Sequence, residues 1–119
     1  MLRYDLMFRR LKEARQGAFV PFVTIGDPSL ALSFEIIKTL IDNGADALEL
    51  GIPFSDPVMD GPIIQLASQR ALDAGATPIS ILNDLRQVDV SIPLAVMCYY
   101  NTIHNAGNER FANALAATG

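Results

Sequence analysis

Apolar residues recur along this chain in two alternating rhythms, one helical and one of period two. Leu2, Leu6 and Leu11, with Tyr4 and Phe8 among them, form a broad stripe at helical spacing. That spacing predicts a helix over residues 2–15, ended by Gly17. Phe19–Thr24 reads as a strand, on condition that the N–H missing at Pro21 lies where no neighbour needs it. Gly26-Asp27-Pro28 is a sharp boundary. Asp27 is expected to cap the next helix, with Pro28 at its first position. Leu30, Phe34, Ile37 and Ile41 mark the buried face of that helix to about Asn43, and Gly44 stops it. Ala45–Leu50 is a second strand, with Ala47 and Glu49 on one face and Leu48 and Leu50 on the other. A long loop follows, Gly51 to Gly61. Pro62 opens a helix ending near Ala74, and Thr77-Pro78 starts another through about Gln87. Ile92–Tyr99 is the third strand, and a last helix spans 107–117.

Short apolar strands separated by helices predict an α/β domain over residues 1–119. It has three parallel strands, right-handed crossovers and an extra N-terminal helix. Three strands are too few to close a barrel. Composition narrows the class further. Half of the 119 residues are hydrophobic, and 18% are charged. This is globular composition rather than disorder. The net charge is −4 with no basic block, which argues against binding nucleic acid through its phosphates. One cysteine, Cys98, allows no disulfide framework, and a reducing, cytoplasmic setting fits. The apolar runs are far short of a membrane span, so no membrane partner is expected.

Candidate chemistry gathers around ADALELGIPFSDPVMDGP, Ala45–Pro62. A carboxylate near the C-terminal end of a buried strand carries a desolvation cost that packing alone does not repay. Glu49 is therefore the first candidate for general acid or base work, against the plainer reading of a hydrogen-bonded structural acid. Asp60 stands just before the helix start at Gly61-Pro62. It either caps that helix or accepts a hydrogen bond from a ligand N–H. Asp56, between Ser55 and Pro57, reads as a turn residue. Phe22, Met97 and Tyr99 share the strand parity of Glu49, and Thr24 is a further rim candidate; together such groups suit a flat apolar ligand, although each taken singly reads first as core. Cys98 has the opposite parity and reads as an inert thiol under the helices. His104, the sole histidine, lies in no metal motif, and no metal site is expected. The glycines form no dinucleotide fingerprint.

Three segments, GAFVPFVTIGDP (Gly17–Pro28), GADALELGIPFSDPVMDGP (Gly44–Pro62) and IPLAVMCYYN (Ile92–Asn101), resemble the N-terminal part of the tryptophan synthase alpha subunit family. The resemblance runs over essentially the whole chain. It implies the N-terminal portion of a TIM (β/α)8 barrel, a fold of about twice this length. It implies a lyase that cleaves indole-3-glycerol phosphate to indole and glyceraldehyde 3-phosphate by retro-aldol chemistry, with no cofactor of its own. Glu49 and Asp60 match the two catalytic carboxylates, and Phe22, Met97 and Tyr99 match residues around the indole. Pro53, Asp56, Asn101, His104 and Asn105 match surfaces that meet the beta subunit, which carries pyridoxal phosphate in an alpha2-beta2 assembly. Val58-Met59 departs from the commoner Leu-Ala before Asp-Gly-Pro, and His104 stands where an apolar residue is common.

The family's phosphate site lies on later loops, near strands seven and eight, outside these residues. Remote binding energy of that kind helps drive chemistry, so residues 1–119 alone are expected to turn over little substrate. The alternative expectation is a catalytically inactive fragment that binds a beta-type subunit or self-associates through open strand edges.

Overall fold

The computed structural model describes residues 3–118. The chain runs α1 (Arg3–Ala14), β1 (Phe22–Thr24), α2 (Leu30–Asp42), β2 (Leu48–Gly51), α3 (Pro62–Asp73), α4 (Pro78–Leu85), β3 (Leu94–Met97), α5 (Tyr100–Ala106) and α6 (Asn108–Ala116). The strands lie in the order β1-β2-β3, all parallel. The result is an open α/β arc, a partial barrel of three strands with the extra N-terminal helix.

Register follows from which residues must be dry. Phe22, Glu49 and Ala95 are partners across the sheet, as are Thr24, Gly51 and Met97. Side chains alternate, so these two rows share the concave face and the row Val23–Leu50–Val96 between them points the other way. On that outer face Ile25, Leu48 and Leu50 are fully buried with Ile37 of α2 and Ile81, Leu82 and Leu85 of α4. This is the main core. A smaller cluster closes the concave side from below, where Met7 and Leu11 of α1 pack on Ala47. Arg10 of α1 pairs with Asp46, whose other oxygen accepts the Phe19 N–H over 2.9 Å.

Several boundaries differ from the sequence reading. The ladder of β1 begins at Phe22, three residues later than expected, and Pro21 contributes only its carbonyl, which accepts the Glu49 N–H over 3.0 Å. The missing donor thus falls before the strand. Asp27 does not cap α2. Ser29 does, accepting the Leu32 N–H over 3.2 Å. Asp27 is instead engaged by Arg70 of α3 through two bonds of 2.7 and 2.8 Å, a bidentate geometry that a guanidinium matches well. The third strand stops at Met97 rather than Tyr99. Tyr99 precedes a helix, α5, that the sequence reading did not assign. At α4, Thr77 and Ser80 form a reciprocal capping box behind Pro78 at the first turn.

Candidate functional site

The C-terminal ends of parallel strands leave backbone groups and loops facing one rim, which is where α/β folds gather functional side chains. Here that rim holds a cavity of about 190 Å3. Phe22, Thr24, Asp60, Met97 and Tyr99 all line it. The sheet delivers Phe22, Thr24 and Met97 by parity. The β2–α3 loop delivers Asp60, and the turn after β3 delivers Tyr99. Phe22 and Met97 remain 38% and 52% exposed on the open concave face.

Glu49 shares this face but does not line the cavity. It is half-buried, two residues before Gly51 on β2. A Cβ built on Gly51 would lie 2.5 Å from Cζ of Phe22. The Phe22 ring therefore covers the strand position directly above Glu49, where any larger residue would push the tip of the ring aside. The two carboxylates are thus on one side of the sheet, with the Phe22 ring beside the path between them.

Asp60 is held from two sides. Its own N–H reaches the Pro57 carbonyl over 3.1 Å, and its carbonyl accepts from Gln65 Nε2 over 2.8 Å. Its carboxylate does not cap α3, where Gly61 is the cap residue without a side-chain bond. It accepts instead from the Tyr99 hydroxyl over 3.2 Å. The alternative of a helix-capping Asp60 is thereby removed by the geometry. Asp56 is exposed and accepts from its neighbour Ser55 over 2.8 Å, as a turn residue does.

Sequence reasoning did not place Gly51, Ile52, Met59, Ile64 or Ser68 at this rim, yet all five line the cavity. Ile64 and Ser68 are four apart on α3, a helical spacing that marks a common face and was available in the sequence. Cys98 lines it as well, while also packing against the main core under the helices, as its parity predicts. Burial pushes its thiol pKa up.

A further neighbour of Glu49 comes from α1. The Tyr4 phenol is pushed above its usual pKa by burial, and secondarily by the negative charge of Glu49. Both effects favour the neutral phenol, so the folded chain keeps this proton at pH values where the unfolded chain has lost it. The resulting stabilisation is present below about pH 10 and is lost as pH rises through the folded value. Glu49→Gln should bring the Tyr4 midpoint down toward its usual value, read from the Tyr4 ring resonances in an alkaline NMR titration. An unmoved midpoint would mean that the two groups are not electrostatic neighbours.

Pro53 and Asn105 line a groove walled by the β2–α3 loop, α5 and the α3–α4 turn, together with Phe54, Leu72, Pro78 and Thr102. Pro53 is buried and braces the wall of this groove, while Asn101, His104 and Asn105 are exposed on α5. The His104 ring lies against Tyr100, centroids 6.1 Å apart. Among the described residues no group of three or more His, Cys, Asp or Glu side chains stands together to hold a metal ion. No helix among them is long and apolar enough to cross a membrane.

Comparison with known proteins adds to this geometry. A family model described as tryptophan synthase alpha chain matches residues 8–119. The chain is 54% identical over 114 residues to the tryptophan synthase alpha chain of Shigella dysenteriae serotype 1, covering 93% of this chain and 42% of that protein. It is 49% identical over 122 residues to the Vibrio parahaemolyticus tryptophan synthase alpha chain, covering 100% of this chain and 46% of that one. Among solved structures, tryptophan synthase subunit alpha from Legionella pneumophila str. Paris superposes with a TM-score of 0.94 at 39% identity, over 100% of this chain and 47% of that one. The chain thus spans less than half the length of the curated relatives it matches.

Proposed function

The chain belongs to the tryptophan synthase alpha chain family, and from that membership and the site we propose that residues 1–119 carry the two acids of a carbon–carbon lyase. Its substrate is indole-3-glycerol phosphate, and its products are indole and glyceraldehyde 3-phosphate. The observation that carries the reading is the Asp60 carboxylate, held by Tyr99 at the wall of a largely apolar cavity above the sheet face that bears Glu49.

The chemistry is a retro-aldol cleavage. Glu49 delivers a proton to carbon 3 of the indole, which turns the ring into an electron acceptor. The glyceryl hydroxyl loses its proton, its C–O bond becomes the aldehyde carbonyl, and the carbon–carbon electron pair returns to the ring. Glu49, deprotonated by the first step, is the group best suited to take up the hydroxyl proton. Asp60 accepts the ring N–H and stabilises the positive charge that develops there. Two carboxylates in different surroundings can divide such roles. Phe22, Met97 and Tyr99 offer apolar surface for the ring, and the Phe22 ring must shift for the substrate to reach Glu49. The groove at Pro53 and Asn105, with Asp56, Asn101 and His104 around it, is our proposed contact surface for a beta-type subunit.

The reading is tested by a chimera in which this chain replaces the matching part of the Vibrio parahaemolyticus relative. The chimera is expected to release indole from indole-3-glycerol phosphate, and the 119-residue chain by itself orders of magnitude less. A folded chimera that releases none would overturn the lyase reading. Normal turnover by the chain alone would overturn our account of remote phosphate binding. A second reading, a non-catalytic association module, draws on the unpaired outer edges of β1 and β3 and the exposed Phe19, Val20, Phe22 and Met97. It predicts no turnover in either form, together with concentration-dependent association.

A further inference from the structure

Tyr99 is clamped at both ends by one loop. Its ring stacks on Phe54 at the start of the β2–α3 loop, centroids 5.0 Å apart and planes 23° from parallel. Its hydroxyl meets the far end of that loop, accepting the Met59 N–H over 3.0 Å and donating to Asp60 Oδ2 over 3.2 Å. Val58 and Met59 are otherwise 81% and 85% exposed, so this loop has little apolar packing of its own to hold it. Among the described residues, Tyr99 is the hydrogen-bond partner of the Asp60 carboxylate, through Oδ2 alone.

We propose that Tyr99 is a positioning residue for Asp60, acting through its hydroxyl as well as lending ring surface to the cavity. The Met59 N–H polarises the hydroxyl, and a polarised hydroxyl is a better donor to a carboxylate. With Oδ2 engaged, Oδ1 is the oxygen left for a ligand N–H in the cavity. A carboxylate fixed before binding gives up less freedom when the ligand arrives. The inference rests on the reading that Asp60 accepts the N–H of an aromatic ring.

Two probes separate the inference from that reading: indole and 1-methylindole, which lacks the N–H. The chain contains no tryptophan, so either can be followed by its own fluorescence, excited beyond the tyrosine band, without tryptophan background. The unsubstituted chain is expected to favour indole by about tenfold, the scale of one hydrogen bond to a charged group. Asp60→Ala should erase the preference. Tyr99→Phe keeps the stacked ring and should cut the preference to within about threefold, the loss falling on indole more than on 1-methylindole. A Tyr99→Phe chain that keeps the full preference while Asp60→Ala loses it would overturn the positioning role and leave the reading of Asp60 intact. Equal weakening of both probes would assign Tyr99 to packing alone and overturn it too. No preference in the unsubstituted chain, or no binding, would overturn the reading and the inference together. Amide exchange at Met59 checks the clamp without any ligand: Tyr99→Phe should speed it severalfold while α3 amides hold, and unchanged exchange would overturn the clamp.

Discussion

Glu49→Gln in the chimera is expected to lower kcat for indole release by about 10²–10⁴-fold, the range that a positioned acid or base contributes. Glutamine keeps the shape of the side chain but has no proton to exchange at carbon 3 and no charge with which to draw one from the hydroxyl. The loss should fall on kcat, with KM little changed, because the missing interaction exists only in the transition state. Asp60→Asn should cost about 10²–10³-fold, as loss of one preorganised electrostatic partner does. The steady-state assay needs a circular dichroism control, because Glu49 borders the α1 cluster through Tyr4. A Glu49→Gln chimera within a factor of a few of its parent would return Glu49 to the role of a structural acid. A change confined to KM would make it a binding group only.

Gly26→Ala should be the most destabilising single-methyl change in the turn that ends β1. Gly26 has φ +95°, and a Cβ there would sit 2.7 Å from the Ala76 Cβ and 3.1 Å from the Ala71 Cβ. A positive φ costs an L-residue about 1–2 kcal/mol. Forcing a methyl into packed surroundings costs about 1–3 kcal/mol more. The sum, about 2–5 kcal/mol, is a large part of the stability of an ordinary domain. The turn cannot easily move away, because the Gly26 N–H is bonded to the buried Ser33 Oγ over 3.0 Å, and Ser33 is tied in turn to the Leu30 carbonyl. Gly44 supplies the control. It has φ +94°, but a methyl added there would meet nothing within 4 Å. Gly44→Ala should therefore show the conformational cost alone. Urea midpoints at constant slope measure the difference. Equal losses at both positions would mean that contact with Ala71 and Ala76 contributes nothing.

The parity of the strands was legible because side-chain alternation is a property of neighbouring residues. Phe22, Glu49 and Met97 fall on one face from period two alone, and the ladder partners agree. The burial of Ile37, Leu48 and Leu50 followed from the same kind of local pattern. The end of β3 was less legible. Val96 through Tyr100 remain apolar, and nothing in so short a run distinguishes a strand's last pair from a helix's first turn. Asp27 shows a different failure. Its local chemistry suits a cap, but an arginine 43 residues away offers two bonds, and Ser29 was near enough to take over the capping.

The chain's own pattern determined the elements other than α5, the parallel sense of the strands, the faces they bury and Glu49 as an acid worth testing, because these follow from residues within a few positions of one another and from the alternation of strand and helix. Tertiary structure decided that Asp60 turns to Tyr99, 39 residues distant, instead of to its own helix. It also decided that the Phe22 ring lies over Gly51 and beside the route to Glu49. Those outcomes depend on how separate elements approach, and the approach is set by the shared burial of side chains that no local spacing can count.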